Sequence, residues 1–224
     1  MTSRKWLIVA IAFASQTAFA APIKNFFELQ SEPGKVFRGA EPALKDIPFL
    51  KEKGVTNVLI FKNDTNGKVA LEKKALEKVT ISVKHVEFLW KDIEDQEAAC
   101  AQAIDALNYV LNVSKQKDKG VFFHCTAGED RTGLLAGLFQ IATGKMKTTK
   151  EAFDKELCAH GFANGHRGKT VGAIVTKELY PVFLMAVNAI QTAKEKNVKL
   201  TGNLCAKDSI STLVKSPACT TFMR

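Results

Sequence analysis

The sequence is poor in cysteine, with only five among 224 residues, and this excludes a small scaffold held together mainly by disulfides. It has no internal repeat and no low-complexity linker, so nothing divides it into an array of domains. Hydrophobic residues make up 46% and charged residues 25%. These values are those of ordinary globular proteins and exclude wholesale disorder, collagen and a multi-span membrane protein. The length suits one medium domain or two small ones.

Acidic residues are outnumbered, with 23 Asp and Glu against 32 Lys and Arg, which gives a formal net charge of +9. A basic chain is compatible with nucleic acid, a membrane surface or a phosphorylated partner. The overall charge alone does not choose among these partners. The choice has to come from local features of the sequence.

The first twenty residues have the features of a secretory signal peptide. Arg4 and Lys5 form a basic start, and the apolar run Trp6–Ala14 is too short to span a hydrocarbon core of about 30 Å. Ala18-Phe19-Ala20 then matches the small-x-small rule for cleavage before Ala21. We therefore predict a cleavable signal at residues 1–20 and a periplasmic or secreted product. After residue 20 we expect no stretch that is long and apolar enough to span a membrane.

Beyond the signal, β-type and helical patterns alternate along the chain. Strands are predicted at Lys35–Arg38, Val55–Phe61, Ile81–Leu89 and Val121–Phe123, and helices at Ala43–Lys53, Lys68–Lys78, Asp95–Ser114, Arg131–Thr143, Lys150–Ala159 and Val175–Lys196. This alternation predicts one α/β domain over residues 21–196, with a central, mostly parallel sheet of four to five strands flanked by helices. Residues 197–224 are predicted to be a C-terminal tail.

The junction between the predicted strand Val121–Phe123 and the next helix concentrates the chemistry. Cys125 lies at the carboxyl end of that strand, where open α/β sheets place their ligand sites. A curled loop before the helix can point backbone N–H groups at a phosphate, and Arg131 can clamp two phosphoryl oxygens. The same positive field favours a nucleophilic thiolate at Cys125. The predicted substrate-binding loop comprises Thr126, Ala127, Gly128, Glu129, Asp130 and Arg131.

Two small residues complete this arrangement. Gly128 allows a backbone turn that a Cβ would hinder. The hydroxyl of Thr132 can hydrogen-bond the thiolate of Cys125 and ease its departure. Since no cluster of His and Asp has ligand spacing, neither a metal nor another cofactor is implied.

The ten residues His124–Gly133, HCTAGEDRTG, resemble the signature of the cysteine-dependent protein tyrosine and dual-specificity phosphatases. The ending GEDRTG is similar to that of a bacterial, secreted branch of tyrosine phosphatases. The resemblance implies the compact phosphatase fold. It also implies a phosphomonoesterase that acts on phosphotyrosine-type esters through a phosphocysteine intermediate on Cys125.

Such a phosphatase needs a general acid for the leaving oxygen. The resemblance places it on the loop after the strand that precedes the long helix. Asp92 comes first in that loop and is the predicted acid. Asp95 is an alternative, although its position also suits the N-cap of the following helix. Asp130 is a third candidate, because some bacterial relatives carry Asp there.

Loop composition bears on the substrate. Phosphoinositide-directed relatives tend to carry Lys at the positions of Thr126 and Glu129, and Glu129 repels additional phosphates. The expected partner is therefore a phosphorylated protein or a small phosphate ester. We expect no nucleic-acid partner, and we expect the protein to be a monomer. A phytase-like inositol-phosphate phosphatase and a non-catalytic phosphate-binding module remain alternatives. A sulfurtransferase is a less favoured alternative, because that family's loop is typically shorter and lacks the Arg-Thr-Gly ending.

Two basic elements outside the loop have open roles. The segment His166–Lys169 could hold a second anionic group at the pocket rim, or be an ordinary solvated loop. Arg38 resembles an early Arg of the compact phosphatases. We interpret it as structural, with lining of the site as the alternative.

The cysteines divide into one predicted nucleophile and four others. An exported protein favours disulfides. Cys205 and Cys219 are close in sequence and could staple the tail. Cys100 and Cys158 lie on predicted helices, and the sequence does not show whether they meet. Cys125 would then be the single free thiol.

Overall fold

The computed structural model of the chain describes residues 22–163 and 169–206, together with Cys219. The predicted signal peptide lies outside these residues. So does most of the basic segment His166–Lys169, of which only the backbone of Lys169 is described, as the start of a helix.

The described chain alternates strands with helices. The elements are β1 (Phe27–Gln30), β2 (Lys35–Ala40), a 3-10 turn (Leu44–Asp46), α1 (Ile47–Glu52), β3 (Asn57–Phe61), α2 (Lys68–Lys78), β4 (Ser82–Val86), α3 (Gln96–Ser114), β5 (Gly120–Cys125), α4 (Asp130–Ala142), α5 (Thr149–Ala152) running into a π-helical turn (Phe153–Cys158), α6 (Lys169–Glu195) and a final 3-10 turn (Gly202–Leu204).

The strands form one sheet in the order β1-β2-β5-β3-β4, in which only β1 is antiparallel. Ala40 at the end of β2 is in register with Cys125 at the end of β5. The central position of β5 therefore delivers Cys125 to the carboxyl edge of the sheet between two parallel neighbours. This confirms the predicted α/β fold with a mostly parallel sheet of four to five strands.

Strand β5 is buried over its whole length, because helices cover both faces of the sheet. Successive side chains of a strand point to opposite faces. Val121 and Phe123 accordingly join the larger core layer, which contains buried residues of α3, α4 and α6. Phe122 joins the smaller layer with Leu50 and Leu76 from α1 and α2. Packing on both sides fixes the strand that carries the cysteine.

Strand β1 was missed by the sequence patterns. It is an edge strand of four residues, and Phe27 at its start is 42% exposed. Backbone hydrogen bonds to β2 hold such a strand, so its side chains need not form the apolar run that marks a buried strand. The predicted helix Lys150–Ala159 is instead the short α5 followed by the π-helical turn.

Helix α6 contradicts one expectation. Its segment Thr170–Glu195 is long and apolar enough to cross a membrane by length and composition. The expectation that no such stretch follows residue 20 is therefore wrong. In the structure α6 packs against α3 and α4, and its residues Leu179, Phe183 and Ala186 are fully buried. Core helices of this kind have the same composition as spanning helices.

Two disulfides join Cys100 to Cys205 and Cys158 to Cys219, while Cys125 is free and buried. The predicted bridge between Cys205 and Cys219 is wrong. The 3-10 turn before Cys205 packs on α3, where a Cβ at Gly202 would lie 2.6 Å from the Cβ of Ala101. This contact brings Cys205 to Cys100. The prediction that Cys125 is the one unpaired cysteine agrees with the structure.

The first prediction concerns the Cys100–Cys205 bridge. The double substitution Cys100→Ala, Cys205→Ala should lower the free energy of unfolding by about 2–5 kcal/mol, because the open chain regains conformational entropy in the unfolded state. Urea unfolding followed by circular dichroism measures this loss. The parent protein, denatured without reductant, should titrate one thiol. A titration of five thiols would contradict the assigned bridges.

Candidate active site

Cys125 ends β5, and the loop Thr126–Glu129 leads from it into α4. The thiol is 3% exposed and makes no disulfide. The loop residues stay close to the end of β2, since the backbone N–H of Glu41 donates to the Thr126 carbonyl at 3.3 Å. The nucleophile predicted from the sequence therefore lies at the base of a short loop pinned to a neighbouring strand.

Gly128 has the geometry that the sequence predicted for it. Its φ is +70°, in the left-handed region that side chains disfavour. A Cβ there would lie 2.5 Å from the backbone nitrogen of Ala40. The loop can therefore pack against the end of β2 only with glycine at this position.

Arg38 supports the loop from beneath. It is fully buried, its guanidinium donates to the Gly128 carbonyl, and it pairs with the carboxylate of Glu156. Because a trans peptide points its N–H opposite to its C=O, holding the Gly128 carbonyl outward turns the N–H of Glu129 towards the inside of the loop. Arg38 thus has the structural role that we favoured, and the alternative of lining the pocket is not what the contacts show.

The guanidinium of Arg131 is fixed by three protein oxygens. Its Nη1 donates to Oδ1 of Asn63 at 2.8 Å and to the Phe88 carbonyl at 2.9 Å, and Nη2 lies 3.4 Å from Oγ1 of Thr126. Nη1 has two N–H bonds, and both are directed at these partners. The donors on Nε and Nη2 are those that can address a phosphoryl group in the loop.

Thr132 lies directly behind the nucleophile. Its Oγ1 accepts a hydrogen bond from the backbone N–H of Cys125 at 2.8 Å and lies 3.5 Å from the Gly39 carbonyl. The residue is fully buried. This places the hydroxyl where the sequence predicted it, next to the cysteine and on the first turn of α4.

The pKa of Cys125 is the balance of opposing effects. Burial raises the pKa, since it removes water from the thiolate. The positive charge of Arg131 and hydrogen bonds from the side chain and backbone of Thr132 lower it, and the nearby charge of Asp130 raises it. The net result is a pKa below the usual value of a cysteine. The site therefore favours the thiolate, which is the nucleophilic form.

The three candidate acids occupy different environments. Asp92 has a side chain that is 83% exposed, beside Nζ of Lys91 at 3.5 Å. Asp95 is the N-cap of α3 and accepts from the N–H of Ala98 at 2.9 Å. Asp130 is buried, and its Oδ1 accepts from the N–H of Ala163 at 2.9 Å. The structure thus brings Asp130 to Cys125 and Arg131, whereas Asp92 lies at the surface.

Glu129, the acidic side chain of the loop, is buried and pairs with a lysine. It is 3% exposed, its Oε1 lies 3.0 Å from Nζ of Lys24, and its Cγ would lie 3.1 Å from a Cβ at Gly161. Part of the negative charge that we expected to repel anions is therefore offset by a lysine. The basic segment His166–Lys169, expected to act nearby, lies outside the described side chains.

Several supporting residues were not identified from the sequence: Asn63, Glu72, Glu156, Lys24 and Asn25. Asn63 follows β3, so it lies at the same sheet edge as Cys125, and its side chain binds Arg131. Glu72 on α2 is buried, with Oε1 2.8 Å from Nε2 of His124. A polar residue within two positions of the end of a neighbouring strand was the available signal, and among these five residues it applies to Asn63.

A family model described as "Polymorphic toxin system, DSP-PTPase phosphatase" matches residues 34–145, half of the chain. The chain belongs to this family. It is a cysteine-dependent phosphatase of the tyrosine and dual-specificity type. A comparison with curated proteins finds no match.

Solved structures show that the phosphatase shares its fold with distant relatives. TpbA of P. aeruginosa is 20% identical, with 76% of this chain and 95% of that chain covered and a TM-score of 0.52. A form of TpbA in complex with pTyr is 19% identical, with 76% and 94% covered and a TM-score of 0.52. The core catalytic domain of the PP-IP phosphatase SIW14 from S. cerevisiae is 19% identical, with 79% and 94% covered and a TM-score of 0.51.

The second prediction concerns the thiolate of Cys125 in the phosphatase. The rate of alkylation of Cys125 by iodoacetamide should rise with pH. It should reach its plateau at a lower pH than the rate of an ordinary cysteine does. In Thr132→Val the midpoint should move to higher pH, because the thiolate loses a hydrogen bond. Thr143→Val, at an exposed position at the end of α4, serves as the matched control. An unchanged midpoint in Thr132→Val would show that the hydroxyl does not stabilise the thiolate.

Proposed function

We propose that this phosphatase is an exported phosphomonoesterase that hydrolyses phosphotyrosine-type esters through a phosphocysteine intermediate. The observation that carries the proposal is the free Cys125, buried with a lowered pKa in a loop closed by the fixed guanidinium of Arg131. Nucleophile, oxyanion clamp and hydroxyl are thereby held within one strand-loop-helix unit. This is what a two-step displacement at phosphorus requires.

In the first step the thiolate of Cys125 attacks phosphorus while the bond to the leaving oxygen breaks. Arg131 and the loop N–H groups bind the non-bridging oxygens, whose charge they stabilise through the transition state. The leaving oxygen takes a proton from the general acid. Water then attacks the phosphocysteine, gives its proton to the same carboxylate and releases inorganic phosphate. The Thr132 hydroxyl stabilises the departing thiolate.

Asp92 is the proposed acid. Its loop follows β4 and contains Phe88, whose carbonyl accepts a hydrogen bond from Arg131, and Glu178 on α6 accepts the N–H of Ile93 at 3.3 Å. The loop that carries Asp92 is therefore attached next to the guanidinium of Arg131. Because the Asp92 side chain faces solvent, the loop must bring it over the bound ester. Asp130 is the second candidate, favoured by its position beside Cys125.

The choice of substrate is a proposal based on the loop. Thr126 and Glu129 provide no cations for additional phosphates, which favours a monoester on an aryl group or a protein. The pTyr complex of TpbA shows that a protein of this fold binds phosphotyrosine. SIW14, a PP-IP phosphatase of the same fold, supports inositol phosphates as the alternative. The pairing of Lys24 with Glu129 weakens the repulsion of polyphosphates and keeps that alternative open.

Export is supported by the signal features at residues 1–20 and by the two disulfides, which form in oxidising compartments. We infer a periplasmic or secreted protein.

N-terminal sequencing of protein recovered outside the cytoplasm should begin at Ala21. A sequence that begins at Met1 would contradict processing.

Turnover on two classes of phosphate ester tests the reaction and the substrate class. Protein from residue 21 onward should release phosphate from a phosphotyrosine peptide with a higher kcat/KM than from inositol hexakisphosphate. Cys125→Ser should lower turnover by about 10⁴-fold or more, because the nucleophile is removed. Preference for inositol hexakisphosphate would support the phytase-like alternative. Turnover retained by Cys125→Ser would reject the mechanism.

Replacement of each carboxylate separates the two candidate acids. The general acid must be protonated, so its replacement should remove the fall of kcat at alkaline pH and lower kcat by about 10²–10⁴-fold on a phosphotyrosine peptide. We expect this result for Asp92→Asn. Glu94→Gln, another exposed acid of the same loop, is the control. If Asp130→Asn alone removes the alkaline limb, the role belongs to Asp130.

A further inference from the structure

The first described residues of the chain lie against the phosphate-binding loop. Ile23 is 3% exposed and belongs to the core layer that contains Phe37 and Phe122. The carbonyl of Lys24 accepts the backbone N–H of Ala40 at 2.8 Å. Residues 23–25 are therefore anchored at the end of β2, beside the strand that carries Cys125.

Asn25 reaches the loop from this anchor. Its φ is +54°, a left-handed conformation that Asn tolerates better than most residues. Its Nδ2 donates to the Ala127 carbonyl at 3.1 Å. Since the N–H of a trans peptide points opposite to its C=O, this bond turns the N–H of Gly128 into the loop.

Three successive loop carbonyls are thus held from outside, each by a different part of the chain. The Thr126 carbonyl accepts from the N–H of Glu41, the Ala127 carbonyl from Asn25 and the Gly128 carbonyl from Arg38. An oxyanion site is effective when its donors are oriented before the ligand arrives. Asn25 provides the middle of these three contacts.

Lys24 adds a second contact between this segment and the loop. Its Nζ lies 3.0 Å from Oε1 of Glu129, with the lysine side chain 65% exposed and that of the glutamate 4% exposed. The contact offsets negative charge next to the place where a phosphate would bind. Residues 23–25 therefore act on both the orientation and the charge of the loop.

We propose that residues 23–25 form a strap that preorganises the phosphate-binding loop, and that Asn25 is a positioning residue of the phosphatase. The proposal rests on the proposed function in that the loop is taken to bind the phosphoryl group. Asn25 does not touch the substrate. It acts by holding the Ala127 carbonyl, so that the N–H of Gly128 faces the oxyanion.

The test measures binding of inorganic phosphate by calorimetry in the Cys125→Ser background, where turnover plays no part. Asn25→Gly keeps the left-handed backbone and removes only the side-chain donor. We expect about fivefold weaker binding, the effect of one hydrogen bond. Asn197→Gly is the matched control, because Asn197 has φ of +50°, is exposed and lies after α6. It should bind phosphate as the parent does.

A second pair of variants covers the case in which Asn25→Gly does not fold. Asn25→Asp keeps the shape but places a carboxylate against the Ala127 carbonyl, so binding should weaken by more than fivefold. Asn197→Asp should leave it unchanged. Phosphate affinity equal to the parent's in Asn25→Asp, or in a folded Asn25→Gly, would overturn the strap. Phosphate binding by a protein that hydrolyses no ester would instead reject the proposed function and leave the strap intact.

Discussion

Burial of the nucleophile Cys125 is the constraint on which the rest of the site depends. A thiolate that loses its water is unstable unless fixed positive charge and hydrogen-bond donors replace that hydration. Arg131 and Thr132 provide them, and neither is free to move away. The loop N–H groups can donate to a bound phosphoryl group only while the loop carbonyls are held pointing away from it. The architecture behind the loop therefore matters as much as the residues that line it.

That architecture relies on buried charges. Arg38 and Glu156 are almost completely inaccessible, and burying such a pair costs free energy unless its hydrogen bonds are satisfied. Here Arg38 also donates a hydrogen bond to the Gly128 carbonyl. An apolar pair of similar volume could fill the same space but would leave that carbonyl without its donor. The ion pair is better explained by the shape of the loop than by stability.

The features that could be predicted from the sequence are those whose interacting residues lie close together in the chain. Cys125, Gly128, Arg131 and Thr132 lie in one short segment, and the buried strand before them has a clear pattern. Contacts between distant segments left no such trace. Nothing in the composition around Glu156 links it to Arg38, and the chain distance between Cys205 and Cys219 suggested a bridge that the packing on α3 does not make. Asp92 shows a further limit, since a position in a loop does not determine where its carboxylate points.

The segment from Phe153 to Ala163 contacts the active-site region at three points: Glu156 pairs with Arg38, Gly161 lies against Glu129, and the N–H of Ala163 binds Asp130. The bridge from Cys158 to Cys219 joins this same segment to the end of the chain. Synthesis in a reducing cytoplasm would therefore leave Cys158 as a free thiol, two residues from Glu156. The redox history of a preparation therefore belongs with any rate measured on it, because this bridge holds the segment that supports the catalytic loop.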